Sequence, residues 1–180
     1  MFPILGIMAS QITGHLSNPA YESIATANAS SSATITFSSI PSTFKHLQIR
    51  LSTITSTGTS IQLASNISTG TNDHQLLGDG SDAIARNSTA GTYGLYVPSD
   101  TGIGTGGTAP AVAVIDLLDY QNTNKNKTVR SLYGCDANGS GVVLMTSGFW
   151  NSTTAISSLT LTPNSGNFTS GSFALYGIKG

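Results

Sequence analysis

The chain has 180 residues, 7 basic and 8 acidic, for a formal net charge of -1, and only 8% of its positions are charged. Against the roughly 25% charge of an average soluble domain, serine and threonine here fill roughly fifty positions. So weak a basic field excludes a phosphate-tracking nucleic-acid binder, and a near-neutral chain with 38% hydrophobic residues does not fit charge-driven disorder.

Residues 1–14 (MFPILGIMASQITG) are the most hydrophobic stretch. A secretory signal or membrane anchor is not expected there. No Lys or Arg precedes the apolar run, Pro3 interrupts it, and about seven residues fall far short of a bilayer span. Flanked by Gly6, Gly14 and Pro19, the segment reads as a non-globular arm (residues 1–19) ahead of one domain (residues 20–180). Its apolar side chains need a surface to cover them, either that of their own domain or that of a neighbouring chain, and the neighbouring chain is the expected one.

From Tyr21 onward the pattern has period two, the mark of half-buried strands. Ala33, Ile35 and Phe37 alternate with threonine and serine, as do Leu47, Ile49 and Leu51 with Gln48, Arg50 and Ser52. Shorter candidates follow at 61–64, 76–78 and 93–97. Residues 111–118 (AVAVIDLL) are apolar on both faces, which predicts a central strand covered on both sides. Segments 129–133, 142–150, 156–162 and 173–178 complete about nine or ten short strands, the signal of an all-β sandwich or barrel. Asn138-Gly139 supplies the turn of a tight hairpin. With one glutamate, Glu22, and a Ser/Thr/Val/Ile/Gly-rich interior, no helix is expected.

Chemistry-bearing patterns are weak. Gly102, Gly104 and Gly107 match G-x-G-x-x-G, but a β-like run follows where a dinucleotide site needs a helix, so a loop is expected. The Asp136 to Gly139 string lacks the closing glutamate of a calcium loop, and Asp79 with Asp82 supplies too few carboxylates. His15, His46 and His74 fall in the arm, at a strand start and in a loop, outside any hydrolase motif. Asp116 and Asp119, three apart near a strand, face opposite sides and cannot flank one glycosidic bond. N-x-[ST] triplets, at Asn28, Asn66, Asn87 and Asn151 among others, are expected by chance in so Asn- and Ser-rich a chain. Tyr93, Tyr96 and Trp150 read as core aromatics rather than a sugar platform, and the single Cys135 permits no internal disulfide. No catalytic residue, cofactor or metal site is expected.

Five strings carry a resemblance: residues 2–16 (FPILGIMASQITGHL), 21–26 (YESIAT), 35–50 (ITFSSIPSTFKHLQIR), 115–128 (IDLLDYQNTNKNKT) and 172–180 (SFALYGIKG). Together they resemble a family of virion structural proteins of tailed bacteriophages and prophages, over nearly the whole chain and most weakly between residues 56 and 108. The resemblance implies an all-β, non-enzymatic particle protein, a homotrimer, located in the virion after assembly in the host cytoplasm.

The expected architecture is therefore a jelly-roll-like antiparallel β-sandwich of about 8 to 10 strands behind an N-terminal arm. Its expected partners are itself and another virion protein, such as the major capsid protein or a tail or vertex protein, reached through Phe2, Pro3, Ile4, Leu5, Ile7, Met8 and Ile12 of the arm. No nucleic acid and no membrane is expected among them. Capsid decoration or cement is the first expected role. A tail or fibre component touching a host-surface glycan is the second, and a secreted glycan-binding or glycan-active sandwich is the alternative of another class.

Overall fold

The computed structural model describes residues 20–58, 60–67, 71–78, 83–88, 95–96, 110–136 and 141–180. They form twelve strands: β1 (Tyr21–Ala29), β2 (Ile35–Phe37), β3 (His46–Ser56), β4 (Ile61–Ser65), β5 (Thr71–Gly78), β6 (Ala83–Ser88), β7 (Leu95–Tyr96), β8 (Ala111–Leu118), β9 (Lys127–Asp136), β10 (Gly141–Trp150), β11 (Leu159–Pro163) and β12 (Phe168–Ile178). The protein is an all-β sandwich. An eight-stranded sheet runs β1-β12-β3-β8-β9-β10-β5-β6, a four-stranded sheet runs β2-β11-β4-β7, and every pairing is antiparallel. Each strand of the small sheet is entered from the large sheet and returns to it. The connections thus stitch the two layers together along the whole chain.

Alternation drives this arrangement. In β8, Ala111, Ala113, Ile115 and Leu117 are buried, in β9 Val129 and Tyr133, and in β12 Phe173 and Leu175. From the opposite layer Phe37, Ile61, Leu63, Leu159 and Leu161 close one apolar core with them. Period-two side chains leave a strand on alternate faces, so each strand gives half its residues to the core. Phe168 and Phe173 meet edge to face with ring centroids 5.0 Å apart, the geometry favoured by aromatic quadrupoles.

Between these two phenylalanines β12 carries two register shifts against β3. Gly171 sits there at φ 134°, and a Cβ built on it would lie 3.0 Å from the Ile54 Cα. Only glycine satisfies both the backbone and the contact.

The loop joining β8 to β9 is closed from within. Lys127, 1% exposed, donates from Nζ to the carbonyls of Asn122, Lys125 (3.1 Å) and Thr153 (3.2 Å). Burial lowers its pKa, an effect opposed by the charge of Asp119. Gln121 donates to the Ile156 carbonyl at 2.8 Å, and the Ile156 N–H returns a bond to Tyr120 O at 2.9 Å. The buried Tyr120 hydroxyl donates to Pro41 O. An ammonium wrapped by carbonyls satisfies a burial that would otherwise be costly.

Candidate docking surface

The outward face of the large sheet departs from the usual polar surface of a sandwich. Cross-strand pairing aligns Arg50 (β3), Val114 (β8), Leu132 (β9), Met145 (β10) and Leu76 (β5) in one row. The next row aligns Val112, Gly134, Val143 and Gly78. Val112 is 56% exposed, Leu132 53%, Val143 56%, Met145 55%, Leu76 49% and Val114 38%. Six large apolar side chains thus form a continuous band over β8, β9, β10 and β5, in the middle of a sheet, where the density of neighbours ordinarily covers such groups.

The band is relieved by glycine. A Cβ built on Gly78 meets nothing within 4 Å, and one on Gly134 meets only the Val142 carbonyl at 3.9 Å. Between Val112, Val114, Leu132 and Val143 a depression of about 320 Å³ opens over Gly134, with Arg50 at its rim. A second, of about 300 Å³, lies beside Leu76 and Met145, bordered by His74 and Arg130. Ridges and hollows of side-chain size alternate across the face.

A third row, on the side of the band nearer the start of β1, is polar. It contains Tyr176, Gln48, Asp116, Arg130, Ser147 and His74. Arg50 Nε donates to Gln48 Oε1 at 2.7 Å, Gln48 Nε2 donates to Asp116 Oδ1 at 2.8 Å, and Arg130 lies 3.9 Å from Asp116. The Arg50 guanidinium also stacks over Tyr176 at 4.7 Å and Tyr21 at 5.1 Å. Cation–π stacking holds the arginine flat against the sheet, so it borders the band without covering it.

The structure corrects one expectation directly. Residues 111–118 are central in the sheet, as the pattern implied, but they are not covered on both sides: the alanine and isoleucine face is buried while Val112 and Val114 stand in solvent. His74 also differs, since it lies within β5 on the outward face rather than in a loop.

The other chemistry-bearing residues are used by the fold itself. His46 opens β3 and accepts the Asp119 N–H at Nδ1 (2.9 Å). Asp119, at φ 50° just past β8, pairs with Lys125 at 3.4 Å. Asp116 faces the outer sheet surface. Asn66 bridges neighbouring backbone, donating to Ala155 O at 3.0 Å and accepting the Ser157 N–H at 2.9 Å. Trp150 is fully buried and presents no ring to a sugar. Among the described residues no group of three or more His, Cys, Asp or Glu side chains is placed to hold a metal ion.

Residues Phe2, Pro3, Ile4, Leu5, Ile7, Met8 and Ile12 lie outside the described residues, as do His15, Asp79, Asp82, Tyr93, the Gly102 to Gly107 loop and Asn138-Gly139. Strands β9 and β10 pair with Asp136 opposite Gly141. This register places Leu132 opposite Met145. Sequence reading missed the band because the apolar residues belong to four strands that only the topology brings together. No family model, no curated protein and no solved structure matches the chain.

Proposed function

We propose that this protein is a non-enzymatic structural component of a tailed-phage particle, one that self-associates and attaches through its N-terminal arm, acting as a capsid decoration or cement protein. The observation that carries the structural reading is the apolar band: six large side chains, each more than a third exposed, contiguous on the central strands of the large sheet. A chain this poor in charge has little repulsion to keep such faces apart. The non-enzymatic reading is supported by Asp116 and Asp119, whose carboxylates are committed to cross-strand and loop contacts, and by His46, whose Nδ1 accepts the Asp119 N–H. The tailed-phage assignment rests on the resemblance of the terminal and central strings.

Energetics favour a many-copy role. Burying the exposed remainder of these six side chains yields on the order of 5 to 9 kcal/mol, close to the cost of immobilising one partner. A single contact is then weak, and copies arrayed on a particle gain strength through effective concentration. The test is mass spectrometry of purified virions from a phage encoding the chain. Hundreds of copies per particle are expected for a shell decoration, and a few to dozens would move the protein to the tail. Absence from purified particles would overturn the proposal.

A further inference from the structure

The arm and the band answer each other, and we propose that the N-terminal arm of one copy docks across the apolar band of a neighbouring copy, linking the two by arm exchange. The inference rests on the self-associating reading above and names the surface that receives the arm. Three observations carry it.

The first is composition. Phe2, Ile4, Leu5, Ile7 and Met8 are apolar and uncharged, and the band offers six apolar side chains with hollows over Gly134 and beside Leu76. A strand-like segment laid over ridges and hollows inserts alternate side chains into them.

The second is length. From β8 to β5 the band crosses three strand spacings, about 14 Å, and six extended residues such as 2–7, about 20 Å long, span it in full. Residues 8–20 remain as a connector of at most about 45 Å. The segment is therefore long enough to cross the band, with a connector long enough to reach that of a neighbour.

The third is where the described chain begins. Strand β1 starts at Tyr21, whose ring stacks on Arg50 at the border of the band. In register, Tyr21 pairs with Ile178, Thr26 with Ala174 and Asn28 with Ser172, while Ala174 and Ser172 pair with Arg50 and Ser52. The band rows thus lie toward the Asn28 side of Tyr21. Ala20, the first described residue, still borders Lys179 and lies on the opposite side, past the polar row. The described chain thus begins on the side away from its own band, and the arm is assigned to the band of a second copy. Such a head-to-tail interface closes into a ring when the rotation permits, and a homotrimer is one such ring.

The test uses full-length chains carrying Cys135→Ser. One population carries Leu5→Cys, the other Met145→Cys, and the two are mixed under mild oxidation. A disulfide joining the two kinds of chain is expected as the main product, with its yield reduced at least tenfold when the Met145→Cys chain also carries Leu132→Asp. Absence of a mixed-chain disulfide overturns the exchange. So does a disulfide that forms only within a chain carrying both substitutions, which would place the arm on its own band. An oligomer that survives deletion of residues 1–14 but is dissolved by Leu132→Asp would put the face of a second copy in the place of the arm, and overturns it too. Particle incorporation is read separately: a chain found in virions without the cross-link sinks the exchange alone, whereas a cross-link without incorporation sinks the phage reading alone.

Discussion

Leu132 and Met145 are direct cross-strand neighbours at the centre of an eight-stranded sheet, and both remain more than half exposed, at 53% and 55%. Cross-strand apolar pairs stabilise a sheet by a few tenths to about 1 kcal/mol. Their exposure to water makes them equally a template for association. Substituting Leu132 with aspartate should change the stability of the folded chain by less than about 1 kcal/mol, as for other exposed positions, while lowering self-association. Denaturant unfolding measured beside light scattering separates the two effects. A large loss of stability with unchanged scattering would make Leu132 a core residue rather than a docking one.

Lys127 holds three carbonyls from two loops, and no apolar side chain of similar length can replace its donors. Lys127→Met should cost about 2 to 4 kcal/mol, because it leaves buried carbonyls unpaired. The loss should be local first, with faster amide exchange at residues 119–126 and 151–156 than in β3 or β12. Uniform acceleration across the sheet would contradict a loop-closing role.

Gly177 faces the core where the Phe44 ring lies, and a Cβ built on it would enter that ring. Gly177→Ala should destabilise by about 2 to 3 kcal/mol through overpacking. Combining it with Phe44→Leu should cost less than the sum of the two single changes, since the smaller side chain makes room. Strict additivity in that cycle would show that the two positions do not meet.

Tyr120 and Tyr133 have raised pKa values, chiefly through burial away from water. A raised folded-state pKa means that the unfolded chain ionises first. Their contribution to stability is fully present below pH 10.0, the ordinary tyrosine value, and is lost as pH rises above it. Lys127, with its lowered pKa, acts in the opposite sense only up to about its ordinary value of 10.5. Phenolate absorbance should therefore show these two tyrosines titrating only together with alkaline unfolding, not before it. Six independently titrating tyrosines in the folded protein would contradict their burial.

Much of this architecture was legible in the sequence. Alternation at Leu47, Ile49 and Leu51 and along residues 142–150 locates β3 and β10. Residues 83–88 escaped notice because AIARNS has neither strict alternation nor β-branched enrichment, and β6 owes its strand form to pairing with β5. The band was hidden for a related reason. An apolar run such as AVAVIDLL signals two faces that avoid water, but it does not say whether both are covered within one chain. In β8 the answer is one face inside and one face outside. The proposed assembly role places the exposed apolar surface in the rows through Leu132 and Val143.

Sedimentation velocity of the full-length chain beside its Leu132→Asp variant tests that claim most directly. The wild-type chain should sediment as a concentration-dependent oligomer, and the variant as an 18.4 kDa monomer with an unchanged circular-dichroism spectrum. A wild-type chain that stays monomeric at high concentration, or an oligomer indifferent to the substitution, would contradict an assembly role for this face.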